Sequence, residues 1–264
     1  MNHPKPSAPI FFAAALATSL SLPLQADVTL DFSAPQNSNE NMVLTVVGNR
    51  AAAKFVDQSG EQIRMVFDNE QNTLVMVMDG QQQYMDMDAM VAAMGNLSGM
   101  LSGLMKELPA DAQGQLGDLF GGLLGGKDKP KPEPEAKAVL TETGASDEIA
   151  GYKCDVATLK SKDGTTELCL AEPGSVGVSD SDFAVMQAML SKQQESVEQV
   201  SSVIAMQNIG FDPSDLDKLP LRIKQISGVN QGSVSELKNA SSEADGSLVV
   251  IPDNYKPMEI PGTQ

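Results

Sequence analysis

The chain has 264 residues and carries 35 acidic against 18 basic side chains, a formal charge of −17. So acidic a surface repels phosphate backbones and anionic headgroups, which argues against nucleic-acid binding and against electrostatic capture by a lipid surface. The composition has no Trp, and its one histidine is His3.

Residues 1–26 read as a cleavable export signal. Lys5 is followed by an uncharged, largely apolar run from Ile10 to Leu24, long enough for a signal core and too short to span a bilayer comfortably. Leu24-Gln25-Ala26 offers a small residue at the cut, with Asp27 as the mature start. No Cys follows the run, so a lipid anchor on the mature N-terminus is not expected. Cleavage would remove both His3 and Lys5, leaving a chain of net charge −18. Without histidine, Ser-His-Asp and Cys-His catalysis are excluded, as are His-ligated zinc and copper. We therefore expect a periplasmic or secreted protein that is not an enzyme, has no cofactor and keeps no membrane span after cleavage.

Residues 27–85 predict strands. Val28–Phe32, Met42–Val47, Ala52–Val56, Ile63–Phe67 and Leu74–Met78 are separated by turn signals such as Gly48-Asn49 and Asp79-Gly80. Short strands at this spacing predict an antiparallel meander. The period then changes. Met87, Met90, Val91, Met94, Leu97, Leu101, Leu104 and Leu108 follow helical spacing, with Asp86 or Asp88 as cap and Pro109 as stop. A second helix is expected at 113–124, followed by a linker of alternating Pro, Lys and Glu that cannot pack a core. Residues 87–136 thus read as a helical insertion with an extended tail in a single domain over 27–264.

Strands are predicted again at Ala138–Thr143, Ile149–Leu159 and Thr165–Ala171. Cys154 and Cys169 fall on neighbouring strands of one hairpin, and export would place them in an oxidising compartment. A structural disulfide is expected, since no C-x-x-C occurs; closing such a loop stabilises by about 3 kcal/mol on the chain-entropy model. A long helix is predicted over about 180–206, with Phe183, Met186, Met189 and Leu190 on its apolar side and Ser179 or Ser181 as cap. Asp212–Asp217 lacks the glycine and terminal Glu of a calcium loop and reads as a solvated helix start. Strands are predicted last at Leu221–Ile226, Val234–Lys238 and Leu248–Ile251.

Three short stretches carry a family resemblance: Gly151-Tyr152-Lys153-Cys154, Leu219-Pro220-Leu221-Arg222, and Ile251-Pro252-Asp253-Asn254-Tyr255 through Met258. They resemble an exported bacterial family catalogued as domain of unknown function 4412, with Asn254 where that family usually has glycine. The resemblance is best over 137–260. Its layout is similar to that of LolA/LolB-type lipoprotein carriers, which implies an α+β fold: a curved antiparallel half-barrel wrapping one long helix. Fold likeness of this kind does not establish function, and the family supplies no catalytic residues.

The methionines carry the remaining signal. Met76, Met78, Met87, Met90, Met94, Met186 and Met189 fall on predicted strand faces and helix stripes, where they would line a hydrophobic-ligand site for a lipid or acyl chain. Two readings compete: an interaction module that offers the Met/Gly/Leu-rich helices to an envelope protein, and thioether binding of Cu(I). Regular periodicity favours burial over metal ligation, so no metal site is assigned.

Overall fold

The computed structural model describes residues 27–33, 41–56, 59–96, 138–162, 164–201, 216–228 and 231–259. The predicted export signal, the helix expected at 113–124, the Pro-rich stretch and residues 212–215 lie outside these residues, as do the distal turns of both predicted long helices.

Among the described residues, twelve strands form one sheet. The first six are β1 (Val28–Phe32), β2 (Met42–Val47), β3 (Arg50–Val56), β4 (Gln62–Asp68), β5 (Thr73–Met78) and β6 (Gln83–Asp86). Helix α1 follows at once over 87–96. Then come β7 (Val139–Ile149), β8 (Tyr152–Ser161) and β9 (Gly164–Ala171), helix α2 (Asp180–Ser201), β10 (Leu219–Gly228), β11 (Val234–Ser241) and the two-residue β12 (Lys256–Pro257). The strand order is β12-β6-β5-β4-β3-β2-β1-β11-β10-β9-β8-β7. All pairings are antiparallel except β12 with β6. The fold is α+β, with a mostly antiparallel, curved, open sheet.

Period-two alternation sorts the side chains onto two faces. One face carries Val28, Leu30, Phe32, Val46, Phe67 and Leu74, packed with Val185, Met186 and Met189 of α2 in the main core. Helix α2 lies against β2, β3 and β5. On the opposite face a separate cluster joins Ala52, Val66 and Val77 to Leu248, Val249, Ile251 and Tyr255 from the C-terminal segment. The sheet is therefore covered on both sides over β2–β5.

Curvature is read from an ion pair. Arg222 Nη1 on β10 donates to Asp147 Oδ2 on β7 at 2.8 Å, although β9 and β8 lie between. Flat strands would hold those backbones about 14 Å apart, so this end of the sheet curls. It also brings β7 against β11.

Two sequence expectations need correction. Leu248–Ile251 is not a strand: Gly246–Val249 forms a 3-10 turn, whose start Asp245 caps by accepting from Ser247 N. An N-cap acid before a tight turn overrides the β-branched run behind it. Ile149 does not open β8 either; it ends β7. Ala150 (φ 53°) and Gly151 (φ 86°) make a two-residue turn with both residues left-handed, the geometry that matches strand twist in a hairpin. That turn explains the Gly of the Gly-Tyr-x-Cys stretch.

Candidate functional site

Strand register places the methionines in a row. Ala53 pairs with Met65, Met65 with Met76, and Met76 with Met85, so three thioethers sit side by side across β4, β5 and β6. Met65 is buried, and Met76 packs half-buried against the same core. Met87 and Met90 come from α1, Met186 and Met189 from α2, and all four join that core or pack on it. Of the seven methionines expected to line a site, the structure thus brings together Met76, Met87, Met90, Met186 and Met189. Met78 is buried on β5 outside that cluster, and Met94 is half-buried on α1 outside it. The expected lining did not include Met65, nor Met85 of the Met85-x-Met87 pair. Cross-strand register sets them beside Met76, each from the next strand of an adjacent hairpin.

The helices are fixed by capping and by one ion pair. Asp86 Oδ1 accepts from Ala89 N at 2.9 Å and starts α1. Ser179 Oγ accepts from Asp182 N at 3.1 Å and donates to Asp182 Oδ2 at 2.7 Å, which starts α2. Asp182 is buried, and burial pushes its carboxyl up against the opposing Ser179 hydrogen bonds; the nearby Asp27 charge adds to the rise. Lys192 of α2 meets Asp88 of α1 at 2.9 Å and tethers the two helices. Its ammonium is held above the ordinary lysine range, chiefly by the Asp88 hydrogen bond, against the effect of burial.

Cys154 and Cys169 form the expected disulfide, with Cα atoms 5.3 Å apart. Both are buried in the main core. Cys169 pairs with Val156, so the bridge runs diagonally between β8 and β9. Arg222 lies near it and binds Asp147 and, at 3.4 Å, Glu167. Asp147 sits low in its titration, through the Glu148 backbone N–H first and Arg222 second.

On the opposite face, Arg64 is only 4% exposed. Its Nε and Nη2 each donate to Asp79 at 2.8 Å, and Nη1 donates to the carbonyls of Leu248 at 2.7 Å and of Ser247 and Val250 at 3.2 Å. Tyr255 Oη donates to Asp79 Oδ1 at 3.1 Å. Burial disfavours the Asp79 charge, but the Arg64 hydrogen bonds and charge, with the Tyr255 hydroxyl, outweigh it and hold the carboxyl below its usual range. Tyr255 is raised by desolvation first and by Asp79 second. Sequence reasoning missed this group as well; its one signal was a cation at Arg64 inside an otherwise apolar strand.

Among the described residues, no cluster of His, Cys, Asp and Glu has the makings of a metal site. No helix among them is long and apolar enough to cross a membrane.

Residues 124–255 match the family described as a domain of unknown function, DUF4412. No curated protein matches the chain. Among solved structures, the MucA/MucB complex of Pseudomonas aeruginosa is similar at 12% identity and a TM-score of 0.29, over 85% of this chain and 56% of that one. MucB in complex with MucA(peri) gives 12% identity and 0.31, over 89% and 57%. MucB alone gives 12% and 0.27, over 88% and 59%. This chain spans a little over half the length of those structures.

Proposed function

The chain belongs to the DUF4412 family, and from that premise we propose that it is an exported, non-catalytic binding protein that holds a hydrophobic ligand, a lipid or acyl chain, on the concave face of its sheet. One observation carries this reading: Met65 and Met76, neighbours in the row that Met85 continues, share one core with Met87, Met90, Met186 and Met189 on two helices. Thioether side chains are unbranched and polarizable, so such a layer repacks around a guest at lower cost than a layer of β-branched residues. The LolA/LolB-like half-barrel is the finer form of this proposal, with α2 as the element the sheet wraps. Export is supported by the leader at 1–26 and by the buried disulfide. The lack of histidine beyond His3 supports a role without catalysis.

The test is native mass spectrometry of the protein purified from its own host, with fluorescent fatty-acid titration of the delipidated form. Co-purified lipid and saturable probe binding are expected. Bound copper, or neither lipid nor probe binding, would sink the proposal. Recovery of an envelope protein that depends on residues 87–136, without extractable lipid, would replace it with the interaction-module reading.

A further inference from the structure

We infer that residues 246–258 form a releasable strap latched by Arg64, which opens as a unit while the main core stays closed. The strap leaves β11 through residues 242–245, three of them exposed and the other half-buried. It then crosses the face of β2, β3 and β4 and ends beside β6. Three of its carbonyls, from Ser247, Leu248 and Val250, converge on one side-chain nitrogen, Arg64 Nη1. Asp79 holds the other side of that guanidinium, and Tyr255 returns from the strap to Asp79. The latch is thus a closed ring of contacts, Arg64–Asp79–Tyr255 and back through the strap backbone.

Two further facts make the strap separable. Its apolar residues, Leu248, Val249, Ile251 and Tyr255, pack in a cluster distinct from the one that holds α2 and the disulfide. Its far end is tied to the edge by Lys256 N to Gln82 O at 3.0 Å and Met258 N to Tyr84 O at 2.7 Å, beside the two-residue strand β12. An element with its own small core, an exposed tether and a short terminal pairing is the kind that opens sub-globally. Opening bares the β6 edge, which β12 and its Pro257 otherwise guard, and uncovers Val66 and Val77.

Hydrogen exchange on the full chain tests this. The Lys256 and Met258 amides should exchange about tenfold or more faster than the paired amides of β3 and β4. Arg64→Gln should speed those two amides by a further ten- to hundredfold, and they should remain the faster-exchanging set beside the paired amides of β1–β3. Tyr255→Phe, which removes only the hydroxyl contact to Asp79, should speed them several-fold and covers the case in which Arg64→Gln does not fold. Strap and core amides that exchange at one common rate, or strap amides that respond to neither variant, would overturn the inference.

Discussion

Arg64 shows why single residues on this sheet differ so much in weight. A guanidinium buried to this degree is tolerable only because its donors meet a carboxylate and three carbonyls. Arg64→Met should therefore cost about 3–5 kcal/mol in urea denaturation, since it strands Asp79 and frees strap carbonyls. Asp79 and Asp182 should respond to pH in opposite senses. Asp79 is lowered in the fold, so its contribution is present above the ordinary value of 3.8 and is lost as pH falls through the lower folded value. The stability deficit of Asp79→Asn should thus shrink only in strong acid. Asp182 is raised, so its contribution is full below 3.8 and is lost as pH rises through the folded value. Asp182→Asn should gain on the parent between pH 4 and neutrality, read as the difference in unfolding free energy at each pH. A flat difference would contradict the burial of that carboxyl.

At the scale of elements, helix α2 was legible because its start is written locally. Ser179 stands before Asp180 and Asp182, and the hydroxyl caps the helix as expected. Ser179→Ala should cost about 1 kcal/mol, measured by thermal or urea unfolding. The hairpin of β8 and β9 was legible too, since a polar turn separates two apolar runs and carries a cysteine on each side. Opening the disulfide with Cys154→Ala/Cys169→Ala should remove about 3 kcal/mol. What failed was the punctuation between elements. Ala150 does not announce a left-handed residue, so the β7–β8 turn passed as strand. Leu248–Ile251 has strand composition, yet the Asp245 cap and the Arg64 contacts hold its first half in a tight turn. The four-residue β6 was missed for a related reason: Gln83 and Tyr84 carry little alternation, and the pairing with β5 makes the strand.

For the whole molecule, the consequence is a sheet with two different coverings. Helices close one face and the C-terminal strap closes the other, so ligand and strap would act on opposite sides of β4 and β5. Replacing Met186 and Met189 together by isoleucine should leave the fold in place and weaken fatty-acid probe binding about tenfold, because branched side chains repack poorly around a guest. The same pair of substitutions should leave strap exchange unchanged. Charge also acts at this scale: at −17 the chain should show little attraction to anionic vesicles, whatever it binds inside.

Local chemistry in the chain already determined most of the antiparallel strands, the amphipathic helices, the helix caps and the cysteine pair. Each of these depends on neighbours within a turn or a hairpin, so spacing alone reports it. Tertiary structure decided the rest. It aligned Met65, Met76 and Met85 into one row, curled the sheet until Arg222 met Asp147, and folded the Ser247–Tyr255 stretch over Arg64 and Asp79. Those contacts join residues as much as 186 positions apart. Their register follows from strand pairing and from the need to satisfy buried charge, and neither is encoded within any short window of sequence.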